Sequence, residues 1–297
     1  MSGSLNAAGW IALHGKMPRL YVPAELSAGA TLTLPEGPAK HVTRVLRMGE
    51  GAPLILFDGA GQEAGVRLAE VGRKHTTVTV EAVWSGSGES PLVVHLGQAI
   101  SKGDRMDYAI QKAVELGVAA ITPLYTERGD VRLKGDREEK KLAHWQAVAA
   151  SACEQSGRAV VPPVHPPQAL GEWLAERQEP LRLMLHLATG NGFAQPERPA
   201  SAALLIGPEG GLSDTDIQAA IASHFTPLTL GPRCYAPKRL LLSRSRCCST
   251  TTAICKRLLS NRCRVCCGSG FFVPSAGIIR RCFALLRQGT IMKIYFL

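Results

Sequence analysis

Aromatic residues make up only 5% of this 297-residue chain, yet 45% of it is hydrophobic, so aliphatic side chains supply the core and wholesale disorder is excluded. No stretch reaches about 18 uninterrupted apolar residues, which excludes a membrane-spanning helix. Residues 1–16 lack a basic start followed by an apolar run; no secretory signal is read there, and a cytoplasmic protein is expected. Acidic residues vanish after Arg233. From Cys234 onward there are 12 Lys and Arg and no Asp or Glu, which leaves 22 basic and 24 acidic residues in positions 1–233. The net charge of +10 is therefore an average over two unlike compositions and not the signature of a nucleic-acid binder. Cysteine is equally uneven, with Cys153 alone in the body and eight of the nine in the last 64 residues.

What is present reads as two domains between a leader and a tail. Residues 1–16 form a nondescript leader. In residues 17–84 short apolar runs alternate with turn residues: Arg19 to Pro23, Ala30 to Leu34, Pro53 to Gly59, Gly65 to Leu68 and Thr76 to Val80. That spacing predicts a small β-rich domain with a turn at Asp58-Gly59 and a short basic helix over His41 to Arg47. Residues 85–91, Ser-Gly-Ser-Gly-Glu-Ser-Pro, read as a linker. Residues 92–233 alternate strands (Leu92–Ile100, Ala119–Tyr125, Leu181–His186, Ala202–Ile206, Leu228–Leu230) with helices (Met106–Leu116, Glu138–Gln155, and one capped at Ser213). Such alternation predicts an α/β domain around a parallel sheet.

Ligands of parallel sheets bind beyond the carboxyl ends of strands, and glycine lets backbone approach them closely. The loop Gly207-Pro208-Glu209-Gly210-Gly211 follows an apolar strand and opens a helix. It is neither a Walker loop nor a G-x-G-x-x-G turn, and taken alone it reads equally well as an ordinary tight turn. A second loop, Leu230-Gly231-Pro232-Arg233, also follows a strand, so the two suggest one shared pocket.

Six segments in order carry a resemblance. They are Gly103-Asp104-Arg105-Met106-Asp107, Ile110 to Gly117, Glu127-Arg128, Cys153 to Arg158, Leu205 to Gly211, and Leu230 to Arg233. Together with Arg19-Leu20-Tyr21 and Val45-Leu46-Arg47, this set resembles the bacterial RsmE family of small-subunit ribosomal RNA methyltransferases, of the SPOUT class, over about residues 17–233. The resemblance implies an N-terminal PUA-like β-barrel for RNA, and a parallel α/β domain with a deep trefoil knot. It implies a homodimer, methylation of N3 of a uridine in 16S rRNA, S-adenosylmethionine as donor, and no metal.

On that basis Gly207, Pro208, Glu209, Gly210, Gly211, Leu230 and Gly231 are expected to hold the donor. Arg19, Arg44, Arg47, Arg128 and Arg158 are expected to contact RNA. Methylating N3 of uracil requires losing its proton, so a general base or an anion-stabilising cation is needed; Glu209 and Arg233 are the two candidates, and the residues alone do not choose between them. Several neighbours carry bland readings. Gln111 and Glu115 form an i, i+4 helix pair, Trp145 and Cys153 pack in the core, His186 is structural, and Glu154 and Arg158 serve equally as capping groups or RNA contacts.

The tail, residues 234–297, allows three readings. Cys263 and Cys266 give one C-x-x-C, but adjacent pairs such as Cys247-Cys248 suit a tetrahedral zinc site poorly. Arg244, Arg246, Lys256, Arg257, Arg262 and Arg264 would make a basic arm. Out-of-frame translation accounts at once for the missing acids, the excess of Cys and Arg, and the absent periodicity. The family continues past Gly-x-Arg as Val-Leu-Arg-x-Glu-Thr-Ala. Back-translating Cys234 to Leu240 and restoring one base in front permits Val-Leu-Arg-Thr-Glu-Thr-Ala. The expectation is a frame break near codon 233 that removes the knot-closing segment.

Overall fold

The computed structural model describes residues 6–13, 15–72, 75–186 and 199–228. Its first element corrects the reading of the leader. Helix α1 (Ala7–Ala12) starts at Asn6, whose side-chain oxygen accepts from Gly9 N at 2.9 Å. Six residues cannot sustain a helix alone. Trp10 holds it in place: the indole is fully buried against Gly65, where any Cβ would collide with the ring.

The small domain is built from β1 (Arg19–Tyr21), β2 (Thr31–Thr33), α2 (Glu36–Lys40), β3 (Pro53–Phe57), β4 (Gln62–Val71) and β5 (Thr76–Ser85). Its five strands run in the order β1-β3-β4-β5-β2, with β1 parallel to β3 and the other pairs antiparallel. Leu20, Val22, Leu34, Leu54, Leu56, Val66, Leu68, Val78 and Val80 share one core. The helix expected over His41 to Arg47 is instead one wider π-helical turn, His41–Val45, continuing α2. Asp58 makes the expected turn by accepting from Ala60 N at 2.7 Å and Gln62 N at 3.0 Å.

The second domain follows with β6 (Val93–Ala99), α3 (Asp104–Glu115), β7 (Ala120–Tyr125), α4 (Asp136–Ser156), β8 (Gln168–Ala169), α5 (Leu170–Ala175), β9 (Leu181–Leu185), β10 (Ser201–Ile206), α6 (Asp214–Ala222) and β11 (Thr226–Leu228). All six strands are parallel, in the order β11-β9-β10-β6-β7-β8. Buried Met106, Ile110, Ala113 and Val114 give α3 one apolar stripe. In α4 the stripe is Trp145, Ala149, Ala152 and Cys153, closed by Gly157 in the left-handed conformation. The short β8 and α5 were not expected from the sequence.

The stretch expected to be a linker is anchored. Gly86 N donates to Gly61 O at 2.8 Å, and Glu89 pairs with Arg158 at 2.7 Å. The two domains meet in a seam of buried polar bonds. Arg19 is only 9% exposed, lies over the Phe57 ring at 4.6 Å, and pairs with buried Glu63. It also donates to Cys153 O at 3.0 Å and Arg158 O at 3.3 Å. Trp84 Nε1 donates to the other oxygen of Glu63 at 2.8 Å, and Tyr21 N donates to Glu154 at 2.9 Å. Arg158 completes the seam by donating to Val114 O at 3.0 Å and Val118 O at 2.9 Å. Arg19 and Arg158 therefore do not face RNA. A guanidinium buried among carboxylates and carbonyls has no exposed face to offer a phosphate. Glu154 likewise belongs to the seam, where burial pushes its carboxyl above its ordinary range.

The expected Gln111–Glu115 pair is replaced by one residue's shift: buried Lys112 reaches both Glu115 oxygens, at 2.7 and 2.8 Å. Cys153 and Trp145 are buried as expected, and burial raises the Cys153 thiol to about 11. The expected knot-closing segment, the strand residues Thr229 and Leu230, and the whole tail lie outside the described residues.

Candidate active site

Chain order along the parallel sheet reverses between β6 and β10: β7 and β8 extend one way from β6, and β10, β9 and β11 the other. Loops leaving adjacent strands at such a point diverge to opposite faces and open a crevice at the carboxyl edge. Here three loops gather, after Ala99, after Tyr125 and after Ile206. Apolar strands place them there, since Ala99 pairs with Leu124 and Ile206 with Gln98 in register.

The third loop is the glycine-rich one. Gly211 N donates to Pro208 O at 2.9 Å, closing a turn that Gly211 completes with φ +74°. The loop folds back on buried Leu212, so a Cβ on Gly207 would lie 2.9 Å from Leu212 Cγ. Gly210 and Gly211 are exposed while Pro208 is buried, which presents main chain toward the crevice. Ser213 then caps α6: its hydroxyl accepts from Asp216 N at 3.0 Å, and Asp216 accepts from Ser213 N at 3.3 Å.

Charged side chains tie the loops together. Arg105, at the start of α3, pairs with Glu209 at 2.9 Å. Burial opposes ionisation of Glu209, but Arg105 and backbone N–H groups of Lys102 and of Glu209 itself outweigh it, and hold the carboxyl below its ordinary range. Arg128 donates to Leu212 O at 3.2 Å, and Glu127 N donates to Asp216 at 3.3 Å. Lys102 pairs with Asp130 at 2.6 Å, and Arg132 lies over the Tyr125 ring at 5.3 Å. The hydroxyl of Thr126 is buried at the foot of the second loop and has no hydrogen-bond partner among the described residues.

Five of the expected donor-binding residues, Gly207 to Gly211, thus stand at the crevice with exposed Arg128 beside them. Leu230, Gly231 and Arg233 lie outside the described residues. Arg44 and Arg47 are exposed on the small domain, away from this edge in sequence and element. Reading the sequence missed Arg105, Lys102 and Thr126. A signal existed for Arg105, which sits in the first of the six matched segments.

Two family profiles match the chain: the RNA methyltransferase domain over residues 88–234 and the RNA methyltransferase PUA domain over residues 34–81. The first match ends one residue past the compositional break at Arg233. Fold and crevice together define an RNA methyltransferase of the SPOUT type that carries a PUA domain. Ribosomal RNA small subunit methyltransferase E of Buchnera aphidicola subsp. Schizaphis graminum is 32% identical over 220 residues, 73% of this chain and 89% of that protein. The Synechocystis protein of the same name is 34% identical, over 72% of this chain and 71% of its own length. A Legionella pneumophila methyltransferase, solved with bound cofactor SAM, is 37% identical with a TM-score of 0.75, covering 82% of this chain and 98% of the other. Ribosomal RNA small subunit methyltransferase E of Neisseria gonorrhoeae bound to S-adenosyl methionine is 34% identical, with a TM-score of 0.72 over 82% and 97%. The chain belongs to the ribosomal RNA small subunit methyltransferase E family.

Proposed function

We propose that this lineage of chain transfers the methyl group of S-adenosylmethionine to N3 of a uridine in 16S rRNA of the small ribosomal subunit, acting as a homodimer in the cytoplasm. The observation that carries the reading is the glycine-rich loop at the strand-order reversal. Its residues fit such a donor on two counts: Gly207 lets the loop close tightly on Leu212 while Gly211 has open space beside its main chain, and the buried Thr126 hydroxyl lacks a partner among the described residues. Backbone of Gly207, Pro208, Glu209, Gly210 and Gly211 would hold the donor, joined by Leu230 and Gly231. When bound, the donor supplies an electrophilic methyl on a sulfonium.

The protein's own task is to orient the uracil and manage the N3 proton. Glu209, engaged by Arg105 and held below its ordinary range, is a weak base near neutral pH; its geometry suits bracing the loop. That leaves loss of the N3 proton to solvent water, with a cation that stabilises the resulting uridine anion, as the better reading; Arg233 and Arg128 are the groups to test. Arg44, Arg47 and Arg128 are the remaining RNA contacts once Arg19 and Arg158 are assigned to the seam.

A second reading is favoured by the compositional break at Arg233: an RNA-binding protein that no longer transfers methyl groups, because the segment after Arg233 is out of frame. Labelled methyl incorporation into undermodified 30S subunits separates the two, run with this chain and with a version restoring one base near codon 233. Incorporation by the restored version alone supports the frame break. Incorporation by neither removes the methyltransferase reading.

A further inference from the structure

The small domain displays a feature that neither its core nor the crevice uses. Of the five large apolar side chains exposed among the described residues, only Val45 (66% exposed) and Leu46 (36%) are neighbours in sequence. They stand at the tip of the π-helical turn, and the next residue, Arg47, has φ +52°, one of two non-glycine residues with positive φ among those described. Such backbone is retained where surrounding structure enforces it. Enforcement is visible on both sides of the tip. Val42 is fully buried and Met48 packs against the same core. Leu46 N donates to His41 O, and Met48 N to Val42 O, each at 3.0 Å, while Thr43 Oγ1 donates to Ala39 O at 2.9 Å. The tip is thus a firmly held, outward-facing pair of aliphatic side chains.

Charge decides what it meets. Arg44 and Arg47 flank the pair, both exposed, and neither makes an ion pair with a described residue. Lys40, on the preceding helix, is already paired with Glu36. Two exposed guanidinium groups, of which Arg44 also acts electrostatically on Glu36, surround two aliphatic side chains and match a polyanion whose bases are open: guanidinium to phosphate, aliphatic surface to base face. Nucleic-acid-binding proteins press apolar wedges between bases in this manner, with arginines alongside. The turn also lies near the domain seam, because His41 acts electrostatically on Glu154.

We propose that Val45 and Leu46 form an apolar wedge that packs against unpaired or unstacked bases of the ribosomal RNA, with Arg44 and Arg47 clamping the flanking phosphates. The inference rests on the RNA-binding half of the proposed function and does not need methyl transfer to occur. It names the structural class of RNA recognised at this tip: a loop or bulge, not continuous duplex.

The test is titration of the full chain against a 16S rRNA transcript and against a perfect RNA duplex, each over a range of salt concentrations. The double variant Val45→Ser/Leu46→Ser should lose about tenfold in affinity for the transcript. The loss should be equal at every salt concentration, with duplex binding unchanged. Arg44→Gln/Arg47→Gln should lose affinity mainly at low salt, with the log–log salt slope reduced by about two. Val45→Ile/Leu46→Met, which keeps apolar bulk, should bind as the original does, and this separates loss of the wedge from loss of fold. Unchanged transcript affinity in the serine variant overturns the wedge while leaving RNA binding intact. So does a loss shared equally by duplex, or a variant that changes only self-association in sedimentation. Failure of the unaltered chain to bind either RNA overturns both the wedge and the reading beneath it.

Discussion

In the seam between the domains, Arg19 and Arg158 are buried, and their guanidinium groups meet both carboxylates and main-chain carbonyls. At the crevice, Arg105 and Arg128 are exposed; Arg105 pairs with Glu209, and Arg128 donates to Leu212 O. The residue type is the same in both regions and the physical situation is opposite. A buried, paired arginine fixes where two bodies sit, and its removal strands a charge in low dielectric. An exposed, sparsely engaged one contributes little to stability and keeps donors available for a ligand. The seam spends its charges on architecture, and the crevice holds its own in reserve for chemistry.

The sharpest way to break this contrast is Arg19→Ala. It leaves Glu63 buried without its cation, and we expect a loss of about 3–5 kcal/mol in urea-unfolding free energy, followed by tryptophan fluorescence. A cost as small as that of an exposed pair would erase the distinction between the regions.

Gly207→Ala should come next. A methyl group 2.9 Å from Leu212 Cγ must displace the loop or the leucine, at about 1–3 kcal/mol. Because the loop faces the crevice, we expect calorimetry to show a fall in S-adenosylmethionine affinity in the frame-restored version. Undiminished affinity would take the loop out of the donor site.

These two cases also show what a sequence can and cannot announce. The strands and the two long helices were legible because alternation and 3.6-residue periodicity are local, and the Gly-Pro loop because glycine and proline punctuate the chain. Helix α1 was not, since Ala7–Ala12 has no periodic stripe and exists through one tertiary contact, Trp10 on Gly65. The burial of Arg19 was equally invisible: its partners lie 44 residues away at Glu63 and 134 away at Cys153. The serine- and glycine-rich stretch at 85–91 has a linker's composition, but Glu89 finds Arg158 across 69 residues. The same blindness applied at the crevice, where Arg105 and Glu209 are separated by 104 residues.

Arg105→Ala should cost under about 1 kcal/mol in stability, because its side chain is largely exposed. Its clearer effect is on titration. The lowered folded value of Glu209 means that its stabilising contribution is present above the unfolded carboxyl range and is lost as pH falls through the folded value. Without Arg105 that folded value rises, which a carbon-detected NMR titration of Glu209 reports. An unmoved titration would assign the lowering to backbone donors alone.

The smallest effect is expected at Cys153. With its thiol raised to about 11, it remains protonated at pH 8, and iodoacetamide followed by peptide mass mapping should leave the Cys153 peptide unmodified in the folded protein. The linked loss of stability falls between the ordinary thiol range and about pH 11, as rising pH favours the unfolded thiolate. Rapid labelling of that peptide would show that the seam opens.

Four acceptors in the seam are main-chain carbonyls, those of Cys153, Arg158, Val114 and Val118. Every amino acid carries the same carbonyl, so three of these positions could drift to any residue that keeps its helix and fits its space without erasing an acceptor. The donors have no such latitude, because only Arg19 and Arg158 supply the forked N–H groups. Inheritance of the domain arrangement is therefore lopsided: the codons of Arg19, Arg158 and their carboxylate partners Glu63 and Glu89 carry it, while the carbonyl partners are free to wander.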